Sequence, residues 1–304
     1  MPPFYLFIQI LAILLAASQT EAFSSVPSVH KVSRINKMTT EIVSVSRLEF
    51  VSETFEMASV PAVEQPQVKI GDLIVSWEPK TAEKIRDKIL EKRLEQRMKD
   101  LPLDGSSAAQ KPFMVGVVGI PGSGKSTSSE ILSAFLHNSI VMPLDGYHTS
   151  MADLKKLPNA ADAIYRRGAP DTFEPASLEK DLERIVNGDE ARVSIPGFDH
   201  AKGDPEANKH TFVRSEHSIV IAEGIYLMHQ GDGWENIKSF FDYIIYIEVD
   251  VDTCVARLKE RNKCIPGYTA EEIELRCEVV DRSNAETVVR SRIFADEEVV
   301  TGVP

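Results

Sequence analysis

Residues Gly119-Ile120-Pro121-Gly122-Ser123-Gly124-Lys125-Ser126 form an unbroken G-x-x-x-x-G-K-S run between the apolar stretch Phe113 to Val118 and an amphipathic stretch from Ser126 onward. Strand, Gly-rich loop and helix in that order constrain the fold strongly, because the loop works only where a buried strand delivers it to a helix N-terminus. Gly119, Gly122 and Gly124 carry no Cβ, so successive backbone N–H groups can turn inward around phosphate oxygens at the positive end of the following helix. Lys125 then reaches the β- and γ-phosphates, and the Ser126 hydroxyl is a ligand for Mg²⁺. The expectation is a nucleoside triphosphate site built from Gly119, Ile120, Pro121, Gly122, Ser123, Gly124, Lys125, Ser126 and Thr127.

The rest of the chain alternates in a matching way. Apolar runs at Phe113 to Val118, Ile140 to Leu144, Ser218 to Ala222 and Tyr243 to Val249 read as buried parallel strands. Helical stretches lie between them at Ser126 to His137, Pro175 to Asn187, Trp234 to Phe240 and Asp252 to Asn262. The class is therefore α/β: a three-layer fold with a mostly parallel central sheet and ligands at the carboxyl ends of its strands. At 304 residues and 43% hydrophobic content the chain can bury one domain of ordinary size plus an extension. The net charge of −12 is uneven, with 21 Lys and Arg against 32 Asp and Glu after residue 110. So acidic a second half argues against nucleic acid as a partner, since phosphate neutralisation needs the opposite excess. Cys254, Cys264 and Cys277 are odd in number and lack metal or redox spacing, so they read as reduced thiols. His200 and His210 stand outside any i,i+4 or Cys-rich context, and no zinc centre is expected.

Four segments follow along the chain. Residues 1–22 read as a signal peptide, with an apolar run from Phe4 to Ala17 too short for a membrane span, and no Lys or Arg before it. Residues 23–60 read as a transit peptide and linker: Ser/Val/Thr-rich to about Arg47, basic at Lys31, Arg34, Lys37 and Arg47. Ala22-Phe23-Ser24 at their junction resembles the bipartite plastid-targeting presequence of algae with secondary plastids, which implies a plastid location; the secretory pathway and the cytoplasm are the alternatives. Residues 61–111 are an N-terminal extension, with one strand expected at Leu73 to Trp77 and a charged helix over 81–99 whose Ile85, Ile89, Leu94 and Met98 form a docking stripe. Residues 112–304 are the P-loop domain, and no stable membrane span is expected in the mature chain.

Two acids end strands near the loop. Val141-Met142-Pro143-Leu144-Asp145 brings Asp145 to a strand end that should converge on the γ-phosphate, where a carboxylate can take the proton of an attacking hydroxyl. A turn Asp before Gly146 is the competing reading. Ile219-Val220-Ile221-Ala222-Glu223 places Glu223 where such folds hold the carboxylate that organises Mg²⁺. Arg166 and Arg167 could meet an anionic substrate or simply be loop surface charge.

The P-loop, Leu144-Asp145-Gly146-Tyr147-His148, Pro196-Gly197-Phe198-Asp199-His200 and Glu223-Gly224-Ile225-Tyr226 occur in the order of the phosphoribulokinase/uridine kinase family, which residues 113 to 300 resemble. Arg167-Gly168-Ala169-Pro170-Asp171-Thr172-Phe173 is similar to the Gly-x-Pro-x-x-(Tyr/Phe) element of bacterial pantothenate kinase. The resemblance implies a P-loop kinase fold with a short helical lid, and phosphorylation of an alcohol on a small metabolite using ATP and Mg²⁺. It makes Asp145 the catalytic acid-base group and puts Tyr147, His148, Phe198, Asp199 and His200 on the substrate side, with Phe198 lacking the hydroxyl of the family's Tyr. Arg257 and Arg261 resemble the lid arginines; their spacing of four puts both on one helix face, where a solvated basic face is the alternative.

The acceptor class is left as a nucleoside, a sugar or a pantothenate-like compound. A phosphoribulokinase-like plastid enzyme is the nearest alternative, although Gly146 stands where that enzyme has a second Asp. A silent nucleotide-binding partner protein is a further alternative, and a homodimer is left open. A GTPase is disfavoured because Asn262-Lys263 is followed by Cys264-Ile265 and the guanine-reading Asp is missing.

Overall fold

The structure, a computed structural model, describes residues 69–70, 73–74, 79–100, 111–199, 201–263 and 268–300, all within the compact unit Gln65–Pro304. The targeting segments expected at 1–60, the linker at 101–110, Trp77, His200 and Cys264 lie outside the described residues. Of the strand expected at Leu73 to Trp77, the structure has Leu73–Ile74 (β2), paired antiparallel with Lys69–Ile70 (β1).

Pro79–Lys99 forms one helix (α1). Its first turns carry the docking stripe: Ala82, Ile85 and Ile89 are buried in the main core, whereas Met98 is exposed. Gln96 Nε2 donates to Asp242 Oδ1 at 2.7 Å, and the other oxygen of that carboxylate accepts the Met114 amide at 2.7 Å. An ion pair joins Lys88 to Glu297. The extension expected to lie upon the domain is therefore built into its core.

The central sheet contains Phe113–Gly119 (β3), Ser139–Pro143 (β4), Ile219–Gly224 (β7), Tyr243–Glu248 (β8) and Glu297–Val300 (β9), in the order β4-β7-β3-β8-β9. All its pairings are parallel. Every residue of β3 and of β7 is buried. Since successive side chains point to opposite faces, unbroken burial means that both faces are covered. The covering helices include Lys125–Phe135 (α2), Pro175–Val186 (α5) and Arg282–Ser291 (α8). Leu178, Leu182 and Ile185 of α5 follow helical spacing and are fully buried.

Between β4 and α5 the chain makes a 3-10 turn, Leu144–Tyr147, and two short helices, Met151–Leu154 (α3) and Ala160–Tyr165 (α4). A hairpin follows α5: Arg192–Asp199 (β5) against Asp204–Val213 (β6), irregular between Ile195 and Gly197. After β8 come Val251–Asn262 (α6) and Ala270–Arg276 (α7); α7 runs through a π turn, Cys277–Asp281, into α8. Asp250 caps α6 by accepting the Thr253 amide, and Thr269 with Glu272 closes a reciprocal capping box on α7.

Candidate active site

Sheet register delivers the phosphate-side residues to one place. Glu223 is the partner of Val117 on β3 and of Pro143 on β4, so Asp145, two residues past Pro143, and the loop after Gly119 leave the sheet at the same carboxyl end of its strands. Gly122 and Gly124 have φ of +83° and +86°, the left-handed region that a side chain resists. Gly119 is required for space: a Cβ there would lie 2.5 Å from Ser123 Oγ. Lys125 opens α2, with Gly124 as its N-cap.

Ser126 Oγ donates to Glu223 Oε1 at 3.1 Å. Glu223 is 6% exposed, and its Oε2 is buried without a hydrogen-bond partner among the described residues. Burial pushes its carboxyl up to about 7, against the pull of Lys125 and with a further push from Asp145. An orphaned buried acceptor costs about 1–3 kcal/mol. A hydroxyl and a carboxylate beside a phosphate cradle form an oxygen donor set suited to Mg²⁺. Ser126 and Glu223 thus fit the role of metal ligands.

Asp145 lies on the 3-10 turn after β4. His148 Nδ1 is 2.9 Å from the Asp145 carbonyl; a carbonyl only accepts, so Nδ1 carries the proton. The His148 ring stacks on Phe173 at 3.9 Å and meets Phe198 at 5.2 Å between centroids. Arg167 lies over Phe198 at 5.8 Å. The structure therefore brings His148, Phe198 and Arg167 together beside Asp145, with Phe173 as the fourth member.

Other sequence candidates have different surroundings. Tyr147 is buried and its hydroxyl donates to Asp181 Oδ2 on α5 at 3.0 Å, which makes it a brace between the Leu144–Tyr147 turn and α5. The Asp199 carboxylate accepts the Ala201 and Lys202 amides at 3.0 and 3.2 Å and pairs with the Lys202 ammonium, so it organises the hairpin turn. Arg257 Nη1 is 3.4 Å from the Gly122 carbonyl, at the P-loop. Arg261 bonds Asn262 Oδ1 at 3.3 Å and lies near Asp281. One helix face thus divides its arginines between two neighbourhoods.

The Gly-x-Pro element is fastened from several sides. Tyr226 donates to the Gly168 carbonyl at 2.8 Å, Arg276 to the Arg167 carbonyl at 2.8 Å, and Trp234 to the Pro170 carbonyl at 3.4 Å. Gly168 itself has φ of +109°. Arg276 and Asp204, the partner of Arg167, went unread in the sequence: one sits in a charged helix and the other precedes a proline, and neither setting marks a site.

Gly146 answers to packing as well. A Cβ there would come within 2.5 Å of the Pro196 carbonyl, because the hairpin lies directly on the turn that carries Asp145. A second Asp at this position has no room.

A parallel sheet, a P-loop at the N-terminus of α2, and a strand-end carboxylate bonded to the P-loop serine together define a P-loop phosphotransferase fold. The chain belongs to the phosphoribulokinase/uridine kinase family, whose model matches residues 114–299. It is 30% identical over 162 residues to an ATP-dependent kinase-like protein of Aspergillus versicolor, covering 51% of this chain and 92% of the relative. It is 32% identical over 160 residues to a pantothenate kinase of Sorangium cellulosum, covering 51% of this chain and 50% of that one, so it spans half the length of that relative. The crystal structure of YFH7 from Saccharomyces cerevisiae shares the fold, with a TM-score of 0.62 at 16% identity over 73% of this chain and 99% of that one. The chain is a kinase of the uridine kinase, phosphoribulokinase and pantothenate kinase type.

Proposed function

We propose that this protein transfers the γ-phosphoryl group of Mg-ATP to a hydroxyl of a small metabolite. The observation that carries the reading is Glu223, buried, bonded through one oxygen to the P-loop Ser126 and left with its other oxygen unpartnered. A fold with no metal to hold gains nothing from such an atom.

The P-loop amides and Lys125 hold the phosphates and offset the charge that develops on them. Mg²⁺, held through Ser126 and Glu223, supplies further neutralisation of that charge when bound. Asp145 accepts the proton of the acceptor hydroxyl as its oxygen forms a bond to the γ-phosphorus; the bond from that phosphorus to the bridging oxygen breaks, and ADP leaves. Arg257, already at the Gly122 carbonyl, is within the neighbourhood of the transferring group. The plastid location, read from residues 1–60 alone, is part of this proposal.

A phosphoribulokinase-like reading is disfavoured by the space at Gly146. A silent nucleotide-binding partner protein has no use for Asp145 and Glu223 side by side. The test is ADP release by the purified protein with Mg-ATP across nucleosides, sugars, sugar phosphates, glycerate and pantothenate; absence of stimulation by any alcohol overturns the kinase reading. A fluorescent fusion of residues 1–60 tests the location, and Phe23→Ala should divert it from the plastid.

A further inference from the structure

The acceptor side is framed by the Gly-x-Pro element and the tip of the β5–β6 hairpin, and the four Lys and Arg side chains on these segments are already paired. Arg166 donates from Nε to Asp162 at 2.9 Å and from Nη1 and Nη2 to the two oxygens of Asp171 at 2.8 and 2.9 Å. Arg167 donates from its two terminal nitrogens to Asp204 Oδ1 at 2.7 Å, to the Thr149 carbonyl at 3.0 Å and to the Gly203 carbonyl, and its Nε is buried without a partner among the described residues. Lys202 pairs with Asp199 at 3.0 Å and Lys209 with Glu206 at 2.9 Å. An anionic group bound here shares its cation with one of these carboxylates and so faces a like charge.

The groups that remain have the opposite character. Asp145 is a carboxylate, and His148, with its proton on Nδ1 toward the Asp145 carbonyl, offers Nε2 as an acceptor when neutral. Burial lowers the His148 pKa, which favours that neutral form. Phe198 adds an apolar ring at the same place. Acceptors beside an apolar wall select O–H donors, and a site whose polar groups need those donors discriminates strongly against compounds lacking them.

We propose that the acceptor is an uncharged polyhydroxy compound of the free-sugar or nucleoside class, not a sugar phosphate or a carboxylate. The paired cations of the element and hairpin set this preference. The inference rests on the kinase reading above and narrows it.

The test compares kcat/KM of the purified protein at saturating Mg-ATP for D-ribose, D-fructose and uridine against ribulose 5-phosphate, fructose 6-phosphate, glycerate and pantothenate. The best neutral acceptor should exceed the best anionic one by about 100-fold or more, the scale of placing an anion beside a buried or half-buried carboxylate. Preference for an anionic acceptor overturns the inference and leaves the kinase reading intact. Turnover with no acceptor at all, while ATP still binds, overturns the kinase reading and the inference with it. Asp171→Asn removes the bidentate one of the two carboxylates that hold Arg166, leaving Asp162, and Asp204→Asn removes the carboxylate paired with Arg167. Each should move the anionic-to-neutral ratio of kcat/KM upward about tenfold, the effect of one modest charge interaction. The Asp171 pair is the more exposed of the two, so that variant gives the reading if Asp204→Asn does not fold. An unchanged ratio in the folded variants overturns the inference.

Discussion

Ser126 Oγ and Glu223 Oε1 lie 3.1 Å apart, joining the first turn of α2 to the end of β7. The bond aims one carboxylate oxygen at the P-loop and leaves the other buried and unpartnered. Glu223→Gln keeps the shape and the bond to Ser126 but removes the charge. Turnover should fall by about 10²-fold or more, the scale of losing one group that stabilises transition-state charge, with a higher Mg²⁺ requirement. Initial rates across a Mg²⁺ titration check this; parental rates and an unchanged midpoint would remove Glu223 from the metal site.

Asp145 is the proposed proton acceptor, and the bond to His148 uses its backbone carbonyl, not its carboxylate. Asp145→Asn should bind ATP as the parent does and lose about 10²- to 10⁴-fold in kcat. Nucleotide binding by calorimetry and turnover in parallel separate the two effects. Equal rates in variant and parent would return Asp145 to the role of a turn residue.

Gly146→Ala puts a Cβ 2.5 Å from the Pro196 carbonyl. Backbone on both sides leaves little to yield, so the expected loss is about 1–3 kcal/mol, the usual range for overpacking. Thermal unfolding reads it. An unaffected midpoint would mean that the hairpin does not sit on the turn that carries Asp145 as described.

Ile85→Ala and Ile89→Ala should each cost about 2–5 kcal/mol, because both side chains are fully buried in the main core. Denaturant unfolding monitored at the two tryptophans measures the loss. A change within error would make α1 an appendage.

His217 gives a pH signature. Its Nδ1 accepts the Val213 amide at 2.9 Å, and its pKa is lowered, first by burial. The unfolded chain therefore binds more protons here than the folded one near and below the ordinary histidine pKa, so this contribution is full above about pH 6.5 and is lost as pH falls. His217→Gln keeps an acceptor but cannot titrate. The parent's melting temperature relative to the variant's should be higher at pH 7.5 than at pH 5.5; glutamate and aspartate titrations are common to both and cancel.

Much of the sheet was legible because parallel strands buried on both faces leave continuous apolar runs, as Phe113–Gly119 and Ile219–Gly224 do. The hairpin escaped notice for the converse reason. Asp204–Val213 is polar over most of its length and exposed at Glu206 to Lys209, and Pro196, Gly197 and Pro205 interrupt the pattern that would mark strands. Trp234 to Phe240 was expected as a helix and forms only a 3-10 turn at Ile237–Phe240: Trp234 is held by burial and its bond to Pro170, and the segment is too short to propagate. The edge strand Glu297–Val300 is two acids followed by two valines, too short a signal to read alone and without the alternation that marks a strand. At the site, motif spacing located Lys125, Ser126, Asp145 and Glu223. It could not tell that Tyr147 points into the packing against α5, since rotamer choice depends on Asp181, far along the chain.

The burial of α1 also limits where the chain can be cleaved. Ala82, Ile85 and Ile89 are core residues, yet they precede the family-matched segment, which starts at residue 114. A cut inside the helix would remove part of the hydrophobic interior. Any amino-terminal cleavage compatible with this core is therefore limited from the carboxyl side by packing, whatever sequence a peptidase recognises.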